Sequence, residues 1–68
     1  MSIKYKIDVL SALKSAGYNT TRLRREKLLA ESTIQKLREG QPVSWANLAR
    51  ICSLLNFQPG DLLEYTPD

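Results

Sequence analysis

The chain has 68 residues, of which 43% are hydrophobic and 25% charged, a composition typical of one folded domain over residues 1–68 rather than a disordered segment. It has one cysteine, no histidine, no glycine-rich phosphate loop and no carboxylate cluster, so we expect no disulfide, metal site, cofactor or enzymatic activity. Residues 1–50 hold all ten lysines and arginines and four acids, so the net charge of +3 is concentrated there as +6, which favours a polyanionic partner.

Two hydrophobic patterns at the start of the chain predict different elements. Apolar residues alternate with lysines over residues 3–7, which predicts a short strand or an extended arm, with residues 63–65 as a candidate partner strand. Apolar residues then recur at steps of three from Ile7 to Leu13, which predicts helix 1. Gly17 can end this helix, since glycine readily adopts the left-handed conformation that follows many helices.

The middle of the chain predicts a short basic helix followed by a longer one. Helix 2 is capped by Asn19 or Thr20 and runs to about Lys27, with three arginines on its exposed side. Helix 3 covers residues 31–39, ends at Gly40 and has only two apolar positions, Ile34 and Leu37. It therefore has a narrow side to bury and a wide polar side to expose.

The densest hydrophobic stretch predicts helix 4, which we expect to be the central core helix. Ser44 is a good cap for its start, and its apolar positions are Leu48, Ile51, Cys52, Leu54 and Leu55. Helix 5 is a single turn that begins with Pro59 and includes Leu62 and Leu63. Trp45 is expected to pack in the core or at its rim, with a phosphate contact through its indole N–H as the alternative. Cys52 is expected to be a buried small hydrophobic residue.

Positions 19 to 40 carry a polar pair, a leucine, a Thr-Ile pair, an aliphatic residue and a glycine, here Asn19-Thr20, Leu23, Thr33-Ile34, Leu37 and Gly40. This pattern resembles the phage-repressor and Cro type of helix-turn-helix regulators, the Xre family. The Ile51-Cys52 pair, the Leu54-Leu55 pair and residues 59–63 extend the resemblance over nearly the whole chain. The resemblance implies an all-α, five-helix fold like the lambda-repressor DNA-binding domain, with a helix-turn-helix unit at about residues 20–39, and binding to double-stranded DNA.

Two residues depart from the family pattern in the turn between helices 2 and 3. Such proteins carry a glycine and then a small capping residue there, whereas this chain has Leu28 and Ala30. Alanine cannot accept the hydrogen bond that serine or threonine would accept. Helix 3 therefore loses on the order of 1 kcal/mol of capping unless Glu31 or Ser32 compensates.

The polar side of helix 3 supplies the candidate base-reading residues. By their position, Glu31, Ser32, Gln35 and Lys36 would project toward the major groove, near the end of the helix that approaches base edges. Lysine suits the acceptors of guanine, glutamine suits adenine, and glutamate can accept from the cytosine amino group. The alternative, that these are only solvent-facing residues of an amphipathic helix, stays open at this point.

Candidate phosphate contacts come from helix 2 and from the segment that joins helices 3 and 4, because backbone contacts set the register in which bases are read. They are Thr20, Arg22, Arg25, Arg38 and Asn47. For Arg25 and Arg38, as for Arg24, the alternative is pairing on the surface with Glu26 or Glu39.

These features together predict a sequence-specific regulator of transcription, expected to repress by occupying an operator. Because one domain of this size supplies few contacts, we expect a homodimer on a palindromic site with half-sites about 34 Å apart. Leu62, Leu63 and Tyr65 are candidate dimer contacts or parts of the core. The alternative function is an antitoxin or antirepressor-type module that binds a protein partner. No signal peptide or membrane-length apolar run is visible, so we expect a cytoplasmic protein of prokaryotic or phage type, associated with the nucleoid and not with a membrane.

Overall fold

The computed structural model describes residues 2–67, so Met1 and Asp68, the two ends of the predicted domain, lie outside the described residues. Within that range, five helices and one two-stranded antiparallel sheet follow one another along the chain. In chain order they are β1 (Ser2–Tyr5), α1 (Val9–Ser15), α2 (Thr20–Arg25), α3 (Glu31–Glu39), α4 (Trp45–Leu55), α5 (Pro59–Leu62) and β2 (Leu63–Thr66). The predicted five-helix fold is confirmed, and the segment ahead of the first helix is a strand.

Side-chain caps explain where three of the helices begin. Asp8, Asn19 and Ser44 precede α1, α2 and α4, and each side chain accepts a hydrogen bond from the backbone N–H three residues later. The predicted caps Asn19 and Ser44 are confirmed. Because Asp8 is the cap of α1, Ile7 precedes that helix, and its predicted inclusion in helix 1 is wrong. The start of α3 at Glu31 is as predicted, although Ala30 supplies no side-chain cap.

Left-handed residues explain where the helices end. Gly17 (φ 96°) and Gly40 (φ 73°) follow α1 and α3, as predicted. The prediction that helix 2 runs to about Lys27 is wrong, because Lys27 itself adopts a left-handed φ of 55° and α2 ends at Arg25. The predicted place of Leu63 in the last helical turn is also wrong, since its backbone is extended and begins β2.

The core of the described residues is built by all five helices and by the turn before α3. The expectation that α4 is the central core helix is wrong, because only Ile51 of α4 is fully buried. Four further apolar residues of α4 are half-buried against the core: Leu48, Cys52, Leu54 and Leu55. The buried apolar residues are Val9, Leu13, Leu23, Leu29, Ile34, Leu37, Ile51 and Leu62.

The sheet brings together two segments from opposite parts of the chain. β1 and β2 pair antiparallel with Ile3 opposite Tyr65, so the predicted pairing of these segments is confirmed. The hydroxyl of Tyr5 donates a hydrogen bond of 2.9 Å to the carbonyl oxygen of Gln41, and burial raises the pKa of this hydroxyl. The sheet is therefore tied to the segment that follows α3.

Candidate nucleic-acid interface

α3 has one buried side and one exposed side. Thr33, Ile34 and Leu37 are buried, Thr33 with only 5% of its surface exposed. The side chains at the other positions point outward, because the period of the helix separates them from this buried stripe. The exposed residues include all four predicted base-reading residues, Glu31, Ser32, Gln35 and Lys36.

The core holds α2 and α3 together as a unit. Leu23 in α2 and Leu29 in the turn are buried in the same cluster as Ile34 and Leu37 of α3. The turn is short because Lys27 reverses the chain directly after α2. The segment predicted as the helix-turn-helix unit, about residues 20–39, holds two helices whose buried residues belong to one apolar cluster.

Asn47 joins α3 to α4 through a hydrogen bond that the sequence analysis did not predict. Its side-chain Nδ2 donates to the hydroxyl oxygen of Thr33 at 2.9 Å, where Thr33 is buried and Asn47 is half-buried. The amide of Asn47 that was predicted to contact phosphate is thus engaged within the protein. A threonine directly before a buried isoleucine was the only sequence signal for this contact.

Arg24 and Glu31 form an ion pair between α2 and α3. Both Nε and Nη2 of Arg24 donate to the Glu31 carboxylate, and the second of these bonds measures 3.2 Å. The hydrogen bond from Arg24 lowers the pKa of Glu31, with a smaller contribution from the charge of Arg38. Glu31 thus enters the candidate interface as an ionised group that already has a cationic partner. Arg24 was not among the predicted site residues, although it shares this surface.

Arg22 is held by three groups of the protein itself. Its Nε donates to Glu26 at 2.8 Å and its Nη1 to the carbonyl oxygen of Gly17 at 3.0 Å. Its guanidinium lies 4.5 Å from the centre of the Tyr18 ring, a cation–π arrangement. Pairing of Arg22 with Glu26 was not predicted, although the spacing of four residues between them was a signal for it.

The remaining predicted phosphate contacts differ in how open they are. Thr20, the first residue of α2, is half-buried. Arg25 approaches Glu26 only to 3.9 Å, and 69% of its side chain is exposed. Arg38 is exposed and donates to the amide oxygen of Gln35 at 2.8 Å, so it extends along the surface of α3.

Among the predicted base-reading residues, Lys36 and Ser32 are the most available. Gln35 uses both ends of its amide along α3, since it accepts from Arg38 and donates to Glu39 at 2.8 Å. Lys36 is exposed, and within residues 2–67 its ammonium group makes no hydrogen bond or ion pair. α3 therefore presents an unengaged cation in the middle of its polar side.

Trp45 projects into solvent instead of packing in the core or at its rim. Its surface is 89% exposed, so the predicted packing is wrong. The reason is its place at the first position of α4, because the shielded side of that helix begins later, with Asn47 and Leu48.

Neither a membrane-spanning helix nor a metal site is found in the described part of the chain. None of its helices combines the length and the apolar character needed to cross a bilayer. No group of three or more cysteine, aspartate or glutamate side chains in residues 2–67 is arranged to hold a metal ion.

Comparison with known proteins agrees with this geometry. The family model of the Cro/C1-type HTH DNA-binding domain matches residues 6–68, which include all five helices and β2. No curated protein and no solved structure matches the chain. The family match and the two-helix unit lead to the same assignment: the chain belongs to the Cro/C1-type helix-turn-helix DNA-binding domains.

Proposed function

We propose that this DNA-binding domain recognises a specific double-stranded sequence with α3 in the major groove and represses transcription by occupying its operator. The observation that carries the proposal is the division of α3 into a buried side and a polar side that no other described element covers. A helix can enter a groove only when one side is pinned to a scaffold and the other is free.

Lys36 is the residue that we propose as the main reader of bases. It is the exposed cation of α3 without a partner in residues 2–67, and lysine suits the O6 and N7 acceptors of guanine. Ser32 adds an adaptable donor or acceptor on the same side. Gln35 would have to release Glu39 or Arg38 before it could bind adenine.

Glu31 fits the same interface because Arg24 compensates its charge. An uncompensated carboxylate near phosphates would be repelled, whereas this one is held by two guanidinium nitrogens. We propose that the pair acts together, with Glu31 accepting from a cytosine amino group while Arg24 faces the backbone phosphates.

Phosphate contacts are proposed chiefly for Arg25 and Arg38, the most open of the predicted set. Arg22 and Asn47 would contact phosphate only through N–H groups that do not already donate to a partner within the protein. Thr20 would contribute a hydroxyl at the start of α2. Because phosphate contacts carry no sequence information, their loss should weaken binding to all sequences alike.

Two copies on a palindromic operator complete the proposal, since one domain of this size supplies too few contacts for tight specific binding. A protein of this kind acts where the DNA is, which for a prokaryotic or phage regulator is the cytoplasm.

The first experiment is selection of binding sites from random duplex DNA with the purified protein. An enriched palindromic motif is expected. Lys36→Ala should change the preferred base at one or two positions, while Lys14→Ala, an exposed lysine of α1, should leave the motif unchanged. An unchanged motif for Lys36→Ala would refute the assignment of the reading residue.

The second experiment is a salt titration on the selected site. Arg25→Ala should weaken binding to every sequence and lower the slope of log affinity against log salt by about one. A change of sequence preference in this variant would contradict its assignment to phosphate. Binding without any enriched sequence, or no binding, would move the function to an antitoxin or antirepressor-type protein contact.

A further inference from the structure

An apolar groove of about 510 Å³ lies on the surface between the sheet, the segment after α3 and the start of α4. The groove is lined in part by two large hydrophobic residues that are exposed to solvent, Trp45 (89% exposed) and Ile3 (69%). Single exposed hydrophobic residues are ordinary, but a contiguous apolar groove with a protruding indole indicates a contact surface. Its main lining residues are Ile3, Tyr5, Val43, Trp45, Leu48 and Leu63.

We propose that this groove, named here the Trp45 groove, is the surface through which two copies of the chain associate, with the indole of each copy seated in the groove of the other. The homodimer of the proposed function requires some surface of this kind. The identity of the surface rests on the groove itself and not on DNA binding.

The first argument for a second copy is self-complementarity. A two-fold dimer uses the same patch on both copies, so a suitable patch must contain a projection and a matching recess side by side. The Trp45 groove contains both, since Trp45 stands at the wall of the recess that Ile3, Leu48 and Leu63 also line. A volume of about 510 Å³ is large enough for an indole, because pockets of similar size hold whole small ligands.

The second argument is charge. Among residues 2–67, Lys4 is the one charged residue that lines the groove, and its ammonium group lies 3.6 Å from the carboxylate of Glu64. Two copies meeting here therefore bring no uncompensated like charges together. By contrast, α2 exposes several arginines, so contact between two copies through α2 would be repelled. An apolar groove is equally unsuited to phosphates, which require cationic or N–H donors.

The third argument is position relative to α3. The groove wall includes Gly40, Pro42 and Val43, the segment that directly follows α3, while the polar side of α3 lies outside it. Association here would join two copies beside their reading helices and leave those helices uncovered.

The fourth argument is area. An exposed indole offers about 150–250 Å² for burial, and the groove walls offer a similar amount, so the two contacts of a dimer bury about 600–1,000 Å² in total, the size of a weak, transient interface. We therefore expect association in the micromolar range without DNA, and cooperative association on a palindrome. Three of the ten described residues that line the groove, Ile3, Lys4 and Tyr5, belong to β1, which precedes the part of the chain that the family model matches.

Trp45 is the only tryptophan of the chain, so its fluorescence reports directly on the proposed contact. The purified protein is measured by sedimentation equilibrium and by emission spectra from low micromolar to near-millimolar concentration. A blue shift of the emission maximum that follows the dimer fraction is expected. Association without any shift, or no association over the whole range, would overturn the proposal.

Three variants test whether self-association depends on the Trp45 groove itself or only on net charge and correct folding. Trp45→Glu should weaken self-association at least tenfold, and Trp45→Phe should retain part of it. Ser53→Glu, which adds the same charge at an exposed position of α4 outside the groove, should have no effect. Circular dichroism checks that each variant is folded. The Trp45 variants are expected to fold, because the side chain of Trp45 is exposed and not part of the core. Equal weakening by Trp45→Glu and Ser53→Glu would refute the proposal.

Binding to two duplexes distinguishes this inference from the proposed function. On a single half-site Trp45→Glu should bind within about twofold of the parent, whereas on the palindrome it should lose cooperativity. A large loss on the half-site would identify Trp45 as a DNA contact and overturn the inference. If Trp45-dependent dimers form and no DNA sequence is selected, the dimer surface stands and the proposed function fails.

Discussion

The start of α3 lacks a side-chain cap, and supplying one is predicted to stabilise the protein. Asp8, Asn19 and Ser44 cap α1, α2 and α4 with a hydrogen bond, whereas Ala30 forms none at the start of α3. Ala30 already has the backbone that a cap requires, with φ −70° and ψ 156°. It is also exposed, so the hydroxyl of Ala30→Ser can be added without displacing a neighbour.

The expected gain follows from the same interaction elsewhere in the chain. Exchange between alanine and serine at a cap changes stability by about 1 kcal/mol, with a range of about 0.5–2 kcal/mol. For a domain of this size that corresponds to a rise in Tm of about 4–8 °C. Glu31 does not reduce the gain, because its carboxylate is engaged by Arg24. Ser44→Ala is the mirror experiment at α4 and should lower Tm by a similar amount.

Thermal unfolding followed by circular dichroism measures the change, with urea unfolding as a second determination. Ala49→Ser is the matched control, since residue 49 is an exposed alanine inside α4 where serine caps nothing and is a poorer helix former. Ala30→Ser should raise Tm above both the parent and the control. A Tm no higher than that of Ala49→Ser would refute the reasoning and mean that the first N–H groups of α3 are already satisfied.

Two further predictions concern contacts that hold α3 in place. Thr33→Val should lower the free energy of unfolding by about 1–3 kcal/mol, because it leaves the half-buried amide of Asn47 without its acceptor. A double-mutant cycle with Asn47→Ala, measured by urea unfolding, should show a positive coupling energy between the two residues. Strict additivity of the two substitutions would contradict the contact. Glu31 should titrate below its usual pKa of 4.5, so its pairing with Arg24 is complete at neutral pH and is lost as pH falls through that lowered pKa. NMR titration checks this, and Arg24→Ala should return the midpoint toward its usual value; an unchanged midpoint in that variant would exclude Arg24 as the cause.

Helix boundaries were largely predictable because their chemistry is local. A cap such as Asn19 or Ser44 acts on an N–H three residues away, and Gly17 or Gly40 acts through its own backbone. One of the boundaries that failed, the end of α2, depends on Lys27, a residue type with no preference for a left-handed conformation. That conformation follows from packing the turn against the core.

The exposure of the candidate site was predictable, but its contacts were not. The period of α3 indicates which residues face outward, and the four predicted base-reading residues do. The link between Asn47 and Thr33, and the ion pair between Arg24 and Glu31, join residues on different helices. Their formation depends on how the helices pack, which no periodicity encodes. Contacts with bases stay a prediction.

The sequence by itself determined the number and order of the helices, the caps of α2 and α4, the side of α3 that is buried and the family resemblance that the family model then confirmed. Only the tertiary structure decided which alternative the ends of the chain adopt, what holds Arg22 and Asn47, and that Trp45 stands beside an apolar groove. The physical reason is the distance along the chain over which each interaction acts. Propensity, capping and periodicity act within a few residues, whereas strand pairing, side-chain partners between helices and surface shape depend on distant segments whose positions the packed core sets.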